Sequence, residues 1–223
     1  MLGYAFSPAS RLTLQKTWTK ICGITRAQDA LAAADLGADA IGLNFYPQSP
    51  RAISVTDVEN LVKGLPRRVS VVALFVNPTP ELVRQVLGTG AVDLLQFHGN
   101  ESAEFCEQFE TPYMKVVAVK LDSDLKSEFA KYESALYMLL DSFDPIMLGG
   151  TGNTFDWGRV IELTQKQRSR LVLAGGLGPA NVREAIEIVQ PFGVDVSSGV
   201  EASKGIKDLK MMQLFIQGVR ASG

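Results

Sequence analysis

Cys22 and Asp141 are the sharpest chemical pair in the chain, a thiol and a carboxyl each closing a short apolar run. A thiol acts as a general base once its pKa drops from about 8.5. Lys20 lies close by in sequence, and a neighbouring cation favours the thiolate. A carboxyl in a closed pocket can stay protonated and serve as a general acid. The plainer roles are a small buried hydrophobe for Cys22 and a capping or loop carboxylate for Asp141. Cys106 falls in a helical segment and takes the buried reading.

Other polar side chains gather at the ends of apolar runs. Lys20 and Cys22 share one face of an extended segment, as do Gln96 and His98, and Asp195 and Ser197, because side chains alternate along a strand. Polar turn residues account for any one of these, but poorly for five runs at once. His98 is a possible base, although a lone His is more often structural. Gly175-Gly176 and Ser197-Ser198-Gly199 suit phosphate binding, since glycine lets backbone N–H groups approach an anion closely. Arg51 can hold a carboxylate with two parallel hydrogen bonds, but its spacing alone favours a solvated surface side chain. Gly149-Gly150-Thr151-Gly152 lies in a long segment that suits a loop over a site. No Gly-Lys-Ser/Thr follows it, as a nucleotide phosphate loop requires. The first strand is not followed by the glycine fingerprint of a dinucleotide cofactor.

The elements that position these residues show in a recurring pattern. Leu36-Gly37-Ala38-Asp39, Gly90-Ala91-Val92-Asp93 and Phe192-Gly193-Val194-Asp195 each read as a helix ending at Gly, followed by an apolar strand. The spacing fits a step of about 52 residues, or two βα units of about 26 each, with room for about eight units beyond Trp18. Strands are expected at 18–22, 40–45, 69–75, 94–97, 114–119, 136–140, 171–174 and 194–197. Helices are expected at 27–36, 56–63, 80–87, 102–108, 125–132, 157–166, 179–189 and 207–219. Strict alternation implies an α/β fold, a single (β/α)8 TIM barrel at 18–223, whose active site lies at the carboxyl ends of the strands. An open doubly wound sheet is the alternative. Trp18 and Phe155 read as packing. Residues 1–17 are expected to form a poorly ordered N-terminal extension.

Composition narrows the function. The chain has 223 residues, 46% hydrophobic and 21% charged, with Lys+Arg 22 against Asp+Glu 24 and a net charge of −2. This is ordinary globular composition, and it carries no electrostatic footprint for nucleic acid. The longest apolar run, Val71–Val76, is too short to span a bilayer. The 2 cysteines and 1 histidine argue against a disulfide framework and a His-based zinc site, and fit a reducing, cytoplasmic setting.

The motifs, taken in order, resemble the phosphoribosylanthranilate isomerases of tryptophan biosynthesis. They are Lys20-Ile21-Cys22-Gly23-Ile24-Thr25, Tyr46–Ser54, Phe75-Val76-Asn77, Leu95–Glu101 and Leu139–Ser142. Gly149–Trp157, Leu173–Leu177 and Val194–Glu201 complete the series. The resemblance implies a cofactor-independent Amadori rearrangement of a phosphosugar with no metal. It assigns Asp141 as the acid on the ring oxygen and Cys22 as the base on the C2′ proton. It places Arg51 at the anthranilate carboxylate and Asp195 at the sugar hydroxyls. Gly175, Gly176, Ser197 and Ser198 fall in the phosphate loops, and Lys20, Gln96 and His98 join the binding set. One position departs: Asn153 stands where many relatives carry Lys. A monomer and a homodimer both remain open. Two other readings compete: a lysine-dependent phosphosugar enzyme using Lys20, Lys115 or Lys120, and a silent phosphosugar-binding subunit.

Overall fold

The computed structural model describes residues 16–120, 123–142 and 157–222. The expected extension up to residue 15, the 149–152 glycine segment, Asn153 and Phe155 lie outside these. Eight parallel strands close into a barrel in sequence order: β1 Trp18–Cys22, β2 Ala40–Asn44, β3 Ser70–Phe75, β4 Leu94–Phe97, β5 Tyr113–Val119, β6 Tyr137–Ser142, β7 Leu171–Leu173 and β8 Gly193–Val196. The open-sheet alternative is excluded, because β1 pairs with both β2 and β8. Around them lie α1 Ala27–Leu36, α2 Val58–Val62, α3 Pro80–Leu87, α4 Ala103–Glu107, α5 Leu125–Lys131, α6 Gln165–Arg168, α7 Val182–Val189 and α8 Leu209–Arg220.

Alternation along each strand sorts the side chains into two layers. Outward residues such as Ile21, Ile41, Leu43, Ala73, Phe75, Leu95, Leu140 and Val194 pack against the helices in one large core. Inward residues Ala40, Val72, Leu94, Met114, Val116, Leu139 and Val172 fill the barrel. Its lower end is closed by stacked aromatics, Trp18 on Tyr137 at 5.7 Å and Tyr137 on Phe192 at 4.5 Å. Apolar packing therefore fills the lower barrel and leaves the polar inward positions for the carboxyl end.

Local rules fix several boundaries. Thr79 Oγ1 accepts the Leu82 N–H ahead of Pro80, and α3 starts where Pro at the first helical position suits. Gly37 adopts φ 99 and closes α1. The other two expected copies of this cap are not such caps: α3 closes at Gly88 in the right-handed region, two residues before Gly90, and at the third Gln190 takes the left-handed position (φ 50) while Gly193 begins β8. Gly193 is small for a packing reason, since a Cβ there would lie 2.7 Å from the Trp18 carbonyl and 2.9 Å from its ring. Three expected helices are shorter or split. A 3-10 turn at Val55–Asp57 precedes α2, another at Trp157–Glu162 precedes α6, and α7 begins at Val182, after Asn181 Oδ1 has capped the Gly178 N–H. A short hairpin, β9 Glu201–Ser203 and β10 Ile206–Lys207, follows β8 where no strand was expected, and it takes Lys207 from the start of the helix expected at 207–219.

Candidate active site

The polar inward residues converge at the carboxyl end of the barrel. Cys22 and Gly42 are register partners on β1 and β2, and Lys20 and Asp195 on β1 and β8. Gly42 makes room for the polar face of β1: a Cβ there would sit 2.7 Å from Cys22 Sγ and 3.1 Å from Lys20 Cε. A cavity of about 360 Å³ opens above them. Cys22, Arg51, Gln96, His98, Asp141, Asp195 and Ser197 line it, with Tyr46, Leu74, Val76 and Leu139 as an apolar wall. Gln96 Oε1 and Asp141 Oδ1 are buried without a hydrogen-bond partner among the described residues. Unpaired buried acceptors of this kind are uncommon outside functional sites.

The charges form a layered arrangement. Lys20 lies below the cavity floor, fully buried, with Nζ 2.9 Å from Asp195 Oδ1. It therefore supports the site from beneath instead of lining it. Burial disfavours its charge, but Asp195 and the Cys22 thiol outweigh burial and raise its pKa. Cys22 does not show the downward shift expected from its neighbour. Burial pushes the thiol up, and Lys20 and Lys207 offset only part of that. Burial and the nearby Asp195 carboxylate raise Asp141 to about 7, against weaker pull from the Ser142 backbone N–H and Lys20. His98 is driven down to about 4 by burial, then by Lys115 and Lys20, so it is neutral near pH 7. Its Nε2 lies 3.6 Å from Asp141 Oδ2, a contact too long for a hydrogen bond. Cys106 is a core residue, as expected, its thiol pushed up to about 12 by burial.

Arg51 is not the solvated side chain that its spacing favoured. Nε and Nη2 each donate at 2.7 Å to the two oxygens of Glu201. Lys207 Nζ donates to the same carboxylate at 2.8 Å and to the Ser197 carbonyl at 3.1 Å. The three lysines of the alternative reading lie outside the lining of this cavity. Lys115 points outward between Met114 and Val116 and is bound to Glu101 at 2.9 Å. Lys120 is exposed, and Lys20 is held charged. Among the described residues, no group of His, Cys, Asp and Glu could hold a metal ion.

Comparison with known proteins places this architecture. Residues 19–218 match the family model described as N-(5'phosphoribosyl)anthranilate (PRA) isomerase. The N-(5'-phosphoribosyl)anthranilate isomerase of Hahella chejuensis is 47% identical over 88% of this chain and 91% of its own. The chain belongs to the N-(5'-phosphoribosyl)anthranilate isomerase family. A crystal structure of phosphoribosyl anthranilate isomerase from Thermotoga maritima superposes with a TM-score of 0.83 at 40% identity, covering 92% of this chain and 99% of that one. Another phosphoribosyl anthranilate isomerase structure, in complex with reduced 1-(o-carboxyphenylamino)-1-deoxyribulose 5-phosphate, superposes at 0.80 with 38% identity and the same coverage.

In this member of the isomerase family the loops after β7 and β8 touch backbone to backbone. Gly199 packs against the Leu177 carbonyl and Gly178, where any Cβ would collide. Gly175 and Gly176 hold φ 79 and 66, a region glycine enters freely. Gly175 also faces Asp141: a Cβ would lie 2.8 Å from its Oδ1 and overlap the Ser142 backbone. Ser197 lines the cavity, and Gly175, Gly176 and Ser198 are not among its lining residues. Sequence reasoning gave no role to Asn44, Gln48, Lys204, Glu201 or Lys207. The first three line the cavity, and the last two hold Arg51. Gln48 and Glu201 each stood inside one of the family motifs, the available signal for both. Lys204 and Lys207 belong to the unexpected hairpin.

Proposed function

We propose that the chain converts N-(5'-phosphoribosyl)anthranilate to 1-(2-carboxyphenylamino)-1-deoxyribulose 5-phosphate by an Amadori rearrangement in tryptophan biosynthesis. Asp141 enters protonated and gives its proton to the furanose ring oxygen. The C1′–O bond breaks and the nitrogen lone pair forms a Schiff base. The Cys22 thiolate then removes the C2′ proton, and the electron pair flows to nitrogen as an enolamine, which tautomerises to the ketone. One acid and one base suffice, and no electrons leave the substrate. Positioned acid–base groups of this kind contribute about 10²–10⁴-fold each.

The rest of the cavity supplies orientation. Arg51 takes the anthranilate carboxylate, and the wall of Tyr46, Leu74 and Val76 suits the aromatic ring. Asp195 and Gln96 face the sugar hydroxyls, and His98, neutral, borders the acid. The loops of Gly175, Gly176, Ser197 and Ser198 receive the phosphate, with Lys20 as the buried cation below. The small phosphosugar is the only partner this chemistry requires, and a cytoplasmic setting suits it.

The observation that carries the reading is that Asp141, its carboxyl raised to about 7, and Cys22 border one cavity. The test is a fluorescence assay of substrate consumption beside Cys22→Ser and Asp141→Asn. Each variant should lose turnover while its circular dichroism stays that of the parent. Near-parental turnover in either one removes that residue from the scheme.

A further inference from the structure

Arg51 is held from outside the cavity by a buried chain of charges that the reaction scheme does not use. Two cations, Arg51 and Lys207, share the single carboxylate of Glu201. Glu201 and Lys207 side chains are 4% and 0% exposed. The chain continues into the barrel wall. The Lys207 N–H donates to Asp29 Oδ2 at 3.1 Å, and Asp29 is gripped by Arg26 at 2.8 Å. The aliphatic stem of Arg51 lies over Gly23, next to Cys22, where a Cβ would come within 2.5 Å of Arg51 Cδ. Among the described residues, Nη1 of Arg51 has no partner; Glu201 engages only Nε and Nη2. An arginine clamped along one edge presents the other edge in one fixed plane, which is what two-point capture of a carboxylate needs. The charge count agrees: one anion among these two cations leaves one positive charge uncompensated at the cavity rim, and a ligand carboxylate would neutralise it.

We infer that Glu201 and Lys207 are positioning residues that fix the orientation of Arg51, so that its remaining edge meets the carboxylate end of the substrate. This rests on the reading of Arg51 as the carboxylate anchor. Neither residue touches the reacting atoms; Glu201 sets the plane of the guanidinium, and Lys207 keeps Glu201 from following it into the cavity.

The test measures how well the enzyme discriminates two inhibitors, the reduced product analogue with its carboxylate and the same compound with a plain phenyl ring. The ratio of their Ki values isolates the carboxylate contact from any general loosening of the site. Glu201→Gln should shrink that ratio about tenfold, a loss of one charge-assisted contact. In an Arg51→Ala background the same substitution should shrink it no further. The kcat of Glu201→Gln should fall far less than its KM rises. Should Glu201→Gln fail to accumulate, Lys207→Met with Lys207→Arg answers the same question: Met should shrink the ratio and Arg should restore it. An unchanged or larger ratio in the Glu201 and Lys207 variants overturns the inference, as does an equal loss in both Arg51 backgrounds. An Arg51→Ala variant that keeps the full ratio overturns the anchor reading itself, a result separable from the others.

Discussion

Lys20 and Asp195 occupy paired positions on β1 and β8, and their charged groups meet 2.9 Å apart where Asp195 lines the cavity and Lys20 lies below it. The pair closes the barrel electrostatically where the first strand meets the last. It also sets the field at both groups of the proposed acid–base pair, because Lys20 pulls the pKa values of Cys22 and Asp141 down while Asp195 pushes both up. Lys20→Met strands a buried carboxylate and should cost about 3–5 kcal/mol of stability. Lys20→Met with Asp195→Asn should recover much of that loss. With Lys20 gone, both catalytic pKa values move upward, so the pH profile of kcat/KM shifts to the alkaline side. Urea unfolding and a pH–rate series check the two halves separately; an unshifted profile would detach Lys20 from catalysis.

The order of the two catalytic pKa values makes a distinctive profile. In the proposed scheme Asp141 acts protonated and Cys22 ionised; Asp141 sits at about 7, and Cys22 lies above its ordinary value. Below pH 7 the rate climbs with the thiolate fraction. Above it the climb is cancelled by loss of the Asp141 proton, so kcat/KM should level off near pH 7. That break belongs to the acid, although it has the look of a base titrating. Asp141→Asn should lower kcat by about 10²–10⁴-fold, and its residual rate should keep rising through pH 7. A break that stays at pH 7 in the Asn variant would assign it to another group.

The same carboxyl makes activity and stability oppose each other. Its folded pKa of about 7 exceeds the unfolded value of about 3.9. The proton therefore stabilises the fold, fully at low pH, and that stabilisation drains away as pH rises from about 4 to about 7. Asp141→Asn removes the drain and should be the more stable protein at pH 8, by up to about 4 kcal/mol. Thermal melts at pH 4 and pH 8 decide it: a variant no more stable than the parent at pH 8 contradicts the burial argument.

Much of this site was readable along the chain because it is built on strands. Period-two alternation put Lys20 with Cys22 and Asp195 with Ser197 on one face, and the barrel turned that face inward. Helices with a clear cap, such as α1 and α3, began and ended where their residues required. The unreadable parts depend on distance or on balance. Arg51 meets Glu201 across 150 residues, and no local pattern announces such a partner. The β9–β10 hairpin is short, turns at Gly205 with φ 80, and alternates too briefly to declare itself. The direction of the Cys22 shift is a contest between burial and cations, which a neighbouring Lys in sequence does not settle.

Gly42 tests whether the thiol must sit where it does. Ala at this position adds one methyl 2.7 Å from Cys22 Sγ, on a backbone that any residue adopts. Overpacking of this size costs about 1–3 kcal/mol. The sulfur is the atom with room to move, so the strain should displace it and lower kcat more than it alters KM. Steady-state kinetics beside urea unfolding check this. A variant that loses stability but keeps kcat would show that the thiol's placement is not critical.

Lys115 lies on the outer face of β5, and its ammonium stands 2.9 Å from Glu101. Glu101 also accepts the N–H groups of Asn77 at 2.8 Å and of Gly99 at 2.9 Å. The pair thus staples the loops after β3 and β4 to β5, and the second of these loops carries His98. Lys115→Met leaves the carboxylate buried without its cation and should cost about 3–5 kcal/mol. Its charge also helps keep His98 neutral, after burial itself, so the His98 pKa should rise in the variant. Proton NMR of the imidazole, on the only histidine in the chain, reads that shift directly. Turnover below the melting temperature should persist at a reduced level, since Lys115 does not line the cavity shared by Cys22 and Asp195. Complete loss of activity in a folded variant, together with borohydride trapping of an adduct on Lys115 in the parent, would instead make that amine the catalytic group and remove the acid–base scheme.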